Sequence, residues 1–142
     1  CATRGEVGTI DAKYSRGGLV EIEYTVQYLQ LRHVALHLAL HTPSTLEALH
    51  ALSHAGLLSP SVYQTLRDAY VFLRCLIDAL RLARGHAHDL VLPAAHTEEC
   101  RFLARRMGYW EGQDALPRLA RDIASHMQPA ARVYEARFLG RG

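Results

Sequence analysis

The chain has 142 residues, enough for one domain with a buried core, and its 49% apolar and 21% charged residues are ordinary for a soluble globular fold. A net charge of +2 excludes the strong cationic field of a nucleic-acid or anionic-membrane binder. No apolar run approaches the roughly 20 residues of a bilayer span, and the amino terminus has no signal-peptide pattern.

Cys1, Cys75 and Cys100 stand at no metal-binding spacing and leave one cysteine unpaired, which points to a reducing, cytoplasmic compartment. Cys75, among Leu73, Leu76 and Ile77, reads as a small core residue. The start at a residue other than Met suggests an excised domain.

Residues 1–17 hold three of the ten glycines and little apolar periodicity. They read as a tail or linker from an upstream domain, with 18–142 as a helical domain. From Leu19, Ile22, Val26 and Leu29 fall on one face at three- and four-residue steps, which predicts a first helix over about 18–40 with a break near its end. Thr42-Pro43-Ser44-Thr45 starts a second helix, with capping hydroxyls and an early proline, which Leu46, Leu49 and Leu52 carry to Gly56. Ser59-Pro60 opens a third, whose long apolar face ends near Gly85. Residues 89–93 form a connector.

Thr97, followed by Glu98 and Glu99, starts a fourth helix that ends at Gly108, since acids suit the positive end of a helix. The fifth runs from about Gln113 to Leu139. Pro117 fits its first turn, and Pro129 is expected to kink it by removing a backbone donor. No strand is expected beyond residue 12. The fold class is all-α: an antiparallel bundle of about five helices, two of them long.

The candidate site is the entry to the first helix. Gly17-Gly18 permits close approach of a ligand or a neighbouring domain. A helix beginning there offers free backbone N–H groups. Lys13, the single lysine, can set a point charge against a phosphate. Glu21 and Glu23 suit the first turns, and Glu23, Gln27 and Gln30 form a polar strip at four- and three-residue spacing. From the residues alone, a glycine turn with ordinary N-terminal acids is the stronger reading.

Asp11, Lys13, Gly17, Gly18, Leu19, Glu21, Ile22, Glu23, Tyr24, Gln27, Gln30 and Leu31 change that weighting. Their order and spacing resemble a segment of the glutamine-synthetase adenylyltransferase/adenylyl-removing enzymes. Leu66–Arg74, Leu90–Pro93 and Leu103–Tyr109 extend the resemblance over nearly the whole chain. Three positions depart from the pattern: Glu21 replaces Asp, Arg16 stands where Pro is frequent, and Tyr24 replaces Phe. Related uridylyltransferases share only the Lys and Gly-Gly-Leu-acid part, so the longer match favours the adenylyltransferase branch.

The resemblance implies a helical domain that follows a nucleotidyltransferase domain (nucleotidyltransferase substrate-binding-domain-like). In such an enzyme the neighbouring domain holds the catalytic carboxylates, magnesium and ATP. AMP is attached to a tyrosine of glutamine synthetase, or removed by phosphorolysis, under a nitrogen-signalling regulatory protein. No catalytic residue and no cofactor are expected in this chain, which alone would be inactive. Lys13, Gly17, Gly18, Glu21, Glu23 and Gln27 would line the edge of the cleft. The alternative is a non-catalytic helical protein-interaction module.

Other constellations read as surface or core. His33, His37 and His41 recur every four residues, as do His50 and His54. Such pairs can bind zinc, but no Glu-x-x-His pattern or cysteine partner accompanies them, so no metal is expected. His86 and His88 read as solvated loop residues. Trp110 is expected to pin a loop to the core rather than serve as a docking handle. Arg101, Arg105, Arg106, Arg118 and Arg121 read as solvated helix surface.

Overall fold

The computed structural model describes residues 10–85, 89–110 and 114–140. Five α-helices follow in order: α1 Leu19–His33, α2 Thr45–His54, α3 Pro60–Arg84, α4 Glu98–Arg106 and α5 Ala115–Phe138. A short 3-10 turn, Leu38–Leu40, lies between α1 and α2. Among the described residues there is no strand, only a single antiparallel bridge between Asp11 and Val91. The all-α bundle expected from periodicity is what forms.

Side-chain caps set three of the helix starts. Ser44, Ser59 and Thr97 accept from the backbone N–H of Glu47, Val62 and Cys100. Each occupies a donor left without an intrahelical partner in the first turn. Pro60 follows Ser59 in the first turn of α3, where its missing N–H costs nothing. The first helix ends at His33, seven residues short of the expected limit, and the backbone then tightens into the 3-10 turn that buries Leu40. α5 runs through Pro129 as one continuous helix.

α3 is the central element and packs against each of the other four helices, while α5 also lies against α1 and α4. Its inward row, Leu66, Ala69, Leu73, Leu76, Ile77 and Leu80, is essentially solvent-free. It meets Ile22, Val26 and Leu29 of α1, Leu49 and Leu52 of α2, Leu103 of α4, and Leu119 and Ile123 of α5 in one core. Cys75 is exposed, contrary to the sequence expectation. Its apolar neighbours in sequence lie on other faces, because each residue turns the helix by about 100°. Trp110 is 77% exposed and does not pin the loop; the adjoining Tyr109 fills that place, at 8%.

The described part of the amino-terminal stretch packs on the bundle. Ala12 donates its N–H to the Leu90 carbonyl at 3.0 Å, and Leu92 donates to the Ile10 carbonyl at 2.8 Å. This ties the stretch to the 89–93 connector. His86 and His88 lie outside the described residues, as do residues 1–9.

Candidate functional site

The turn at residues 11–18 is built from its own polar groups. The Asp11 Oδ1 accepts the N–H of Lys13 at 2.8 Å and of Tyr14 at 2.9 Å, and the Asp11 N–H donates to Ser15 Oγ at 2.7 Å. Asp side chains make such turns because a short carboxylate reaches the backbone two residues on. Gly18, Leu19 and Val20 donate their N–H groups to the carbonyls of Ser15, Ala12 and Lys13 at 2.8, 3.1 and 3.0 Å. Three of the donors expected to point outward at the start of α1 are therefore already taken. The preceding turn caps that end of the helix, so Gly18, Leu19 and Val20 do not offer their N–H groups to a phosphate.

The glycine pair is used inside the bundle. Gly17 has φ +77°, and a Cβ there would lie 1.9 Å from the Met127 carbonyl oxygen of α5. A Cβ on Gly18 would meet the Lys13 and Ser15 carbonyl oxygens at 2.7 and 2.8 Å. The close approach that the glycines permit is that of the turn to itself and to α5.

Glu21 locks the arrangement. One carboxylate oxygen accepts the Gly17 N–H at 2.8 Å, and the other lies 3.2 Å from Arg16 Nε. Arg16 reaches onward to Glu135 of α5 at 2.7 Å. Arg16 thus joins the turn, α1 and α5.

Three of the six sequence-predicted residues keep their functional groups uncommitted. The Lys13 ammonium sits 5.4 Å from the Tyr14 ring centroid and has no ion pair among the described residues. Glu23 is half-buried and Gln27 exposed, and neither makes a side-chain hydrogen bond to a described residue. Val20, Glu23, Tyr24, Gln27 and Leu31 share the outer face of α1 at helical spacing. The bond from Val20 N–H to the Lys13 carbonyl sets Lys13 at the amino end of that face.

The outer face of α1 is also apolar. Tyr24 is 55% and Leu31 79% exposed, and Leu36 and Leu38 just beyond are 81% and 86% exposed. Gln27 borders a groove of ≈600 Å³ with Leu31, Val34, Leu40 and His41. Gln30, read as part of the same polar strip, instead donates to the carbonyls of Leu40 and Thr42 at 2.9 and 2.8 Å. Periodicity could not reveal that role, because both acceptors lie beyond the helix.

A second polar cluster escaped sequence reading. The buried Tyr109 hydroxyl donates to the Asp122 carboxylate. Burial, and then the hydrogen bond and charge of Asp122, push the phenol well above its ordinary range, while Arg118 opposes the shift from 5.4 Å over the ring. His126 stacks on Phe72 at 4.3 Å, with Nδ1 2.7 Å from the Asp122 backbone carbonyl.

Among the described residues, no three His, Cys, Asp or Glu side chains stand together as a metal site. His50 and His54 stack at 6.3 Å on the α2 surface. Nor do the carboxylates of the turn fit magnesium. Asp11 is engaged by two backbone N–H groups, Glu21 by Gly17 and Arg16, and Glu23 stands alone.

A family model described as GlnD PII-uridylyltransferase matches residues 4–138. The bifunctional glutamine synthetase adenylyltransferase/adenylyl-removing enzyme of Cutibacterium acnes is 35% identical over 126 residues, 89% of this chain and 12% of that protein. The enzyme of the same name from Corynebacterium efficiens is 38% identical over 90 residues, 63% of this chain and 9% of that protein. That of Mycolicibacterium smegmatis is 43% identical over 86 residues, 61% and 9% respectively. The chain thus spans only 9–12% of the length of these relatives. The family model bears the uridylyltransferase name, while the three relatives bear the adenylyltransferase name favoured by the residues after Gly18. With nearly its full length matched, the chain belongs to the GlnD PII-uridylyltransferase family and is related to a segment of the bifunctional glutamine synthetase adenylyltransferases.

Proposed function

We propose that this chain is the helical domain of a glutamine-synthetase adenylyltransferase/adenylyl-removing enzyme, and that it positions a neighbouring nucleotidyltransferase domain and its protein substrate. The reaction is AMP transfer from ATP to a tyrosine of glutamine synthetase, or phosphorolytic removal of that AMP. A nitrogen-signalling protein is the proposed regulator. The amino-terminal residues would lead from the nucleotidyltransferase domain into the bundle, to which the turn at residues 10–18 already belongs. The observation that carries the reading is the similarity to enzymes of that one name along 61–89% of the chain. The outer face of α1 supports it, because exposed apolar side chains interspersed with uncommitted Lys13, Glu23 and Gln27 suit a surface covered by another domain.

Such an enzyme draws its chemistry from magnesium-bound ATP, whose charge must be neutralised as the phosphoryl bond breaks. In this reading the neighbouring domain holds the ATP and magnesium. In the proposed arrangement Lys13, Glu23 and Gln27 face the cleft, while Gly17, Gly18 and Glu21 hold the turn that presents them.

Glu23→Ala in the complete enzyme tests this. Turnover, read as AMP incorporated into glutamine synthetase, is expected to fall at least tenfold while the melting temperature moves by less than about 2 °C, since a half-exposed, unpaired carboxylate contributes little to stability. Unchanged turnover, or a loss of turnover that merely tracks unfolding, would return Glu23 to an ordinary surface role.

A further inference from the structure

α3 presents a second face that the core leaves unused. Val71, Cys75, Asp78 and Leu82 succeed one another at intervals of four, three and four residues, the alternating spacing of the d and a positions in a coiled-coil seam. Val71 is 37% and Leu82 58% exposed, and Cys75 and Asp78 are also exposed. The inward residues Leu66, Leu73, Ile77 and Leu80 lie on the opposite side of the same helix. The seam opens into a groove of ≈720 Å³ between α3, α4 and α5, floored by Phe72, Ala79 and Met107.

Arg67, Arg74 and Arg81 recur every seven residues, all at the g position of this register, and all are exposed. Arg74 and Arg81 have no ion pair or hydrogen bond from their side chains to a described residue. Arg106 of α4 borders the groove from the other side and is equally unpaired. Residues at g choose the partner of a two-helix seam through the charge they meet.

We infer that this face of α3 docks an acidic amphipathic helix of a protein partner. The partner helix sets apolar residues against Val71, Cys75 and Leu82, glutamates against Arg74 and Arg81, and a basic residue against Asp78, while Arg67 already pairs with Asp68 at 3.4 Å. A second copy of the chain fits poorly. An antiparallel pair of α3 helices would place arginine against arginine, and a parallel pair would place arginine against the e positions, Phe72 and Ala79. Neither arrangement sets a carboxylate at the flanking position opposite the arginines.

The probe is a fluorescein-labelled synthetic helix of three heptads, with leucine at a and d, one lysine facing Asp78, and glutamate at e and g. Its binding to the 142-residue chain is read by anisotropy. The glutamate peptide is expected to bind and to weaken as salt is raised, because the flanking pairs are exposed. It should also protect Cys75 from N-ethylmaleimide, identified by mass spectrometry of the modified peptide.

Leu82→Glu should weaken binding at least tenfold. Arg74→Glu with Arg81→Glu should do the same, and should turn preference to a peptide with lysine at e and g. Leu38→Glu, on the separate apolar surface beyond α1, should change nothing. The inference is overturned by absent binding, by equal binding of the glutamate and lysine peptides, or by charge reversal without effect. It is also overturned by self-association through Cys75, or by an RNA oligonucleotide that displaces the peptide through the same arginines. None of these outcomes depends on adenylyl transfer.

Discussion

Gly17 and Gly56 share a backbone conformation but not surroundings, so together they separate strain from collision. Their φ values are +77° and +76°. A Cβ on Gly56 meets nothing within 4 Å, whereas one on Gly17 lies 1.9 Å from the Met127 carbonyl oxygen. Alanine at either site incurs the left-handed penalty of about 1–2 kcal/mol. Each change recovers about 0.4–1 kcal/mol from a stiffer unfolded chain. At Gly56 a net cost of about 1 kcal/mol or less remains.

At Gly17 the turn must also withdraw from α5 by about 1 Å, because a close-packed interior absorbs no such overlap. That adds about 1–3 kcal/mol for overpacking. It also pulls on the Gly17-to-Glu21 hydrogen bond and the Arg16–Glu135 contact. Gly17→Ala should therefore be less stable than Gly56→Ala by about 2 kcal/mol or more, a gap of about 4–8 °C in melting temperature at about 2–4 °C per kcal/mol. Urea denaturation followed by circular dichroism gives the comparison, with equal slopes required of both variants. A difference below about 1 kcal/mol would refute the claim that Gly17 exists to admit the α5 backbone.

Gln30→Ala removes both side-chain hydrogen bonds from α1 to the segment around the 3-10 turn, so it should cost about 1–2 kcal/mol. Hydrogen exchange should quicken at residues 36–42 and stay unchanged in the centre of α3; uniform acceleration would mean the clamp is not local. Tyr109 should be the last tyrosine to ionise in an ultraviolet titration, because its folded pKa lies above the ordinary 10.0. A raised folded pKa means the native state keeps a proton that the unfolded chain releases, so this contribution is whole below pH 10 and fades as pH rises above it. Tyr109→Phe should flatten that part of the stability profile; an unchanged alkaline slope would remove Tyr109 as its source. Leu73→Ala, at a fully buried site, should cost about 3–5 kcal/mol, and a loss under about 1 kcal/mol would contradict its place in the core.

What was legible in the sequence was whatever local chemistry decides. Ser44, Ser59 and Thr97 cap the helices they were expected to cap, and the three- and four-residue spacing of α1 and α3 marks the faces that are buried. What failed depends on neighbours distant in sequence. Cys75 was placed in the core by its flanking leucines, yet its face of α3 meets only the open groove. The N–H groups opening α1 were read as free because the carbonyls that bind them belong to an irregular turn with no periodic signature. Gln30 shares a strip with Glu23 and Gln27 on a helical wheel, and only the fold shows it reaching past the end of α1. Trp110 and Tyr109 are adjacent aromatics, and nothing local says which one turns inward.

The motif that carries the family resemblance divides by these contacts into two sets. Asp11, Gly17, Gly18 and Glu21 have roles fully accounted for by the turn: two accepted N–H groups, a contact with α5, a contact with the turn's own carbonyls, and a carboxylate bonded to Gly17 and Arg16. Any chain folding this way needs residues of those types there, so their match speaks for the fold. Lys13, Glu23 and Gln27 have no such account, since each could change with little effect on the bundle. A resemblance that includes them needs a cause outside the bundle, and a neighbouring domain against the outer face of α1 supplies one. The two sets should therefore respond differently to substitution. Changes at Gly17 or Glu21 should lower stability and any activity together, while changes at Lys13, Glu23 or Gln27 should lower activity in the complete enzyme and leave the melting curve in place. If the second set also melted the bundle, the resemblance would report the fold alone.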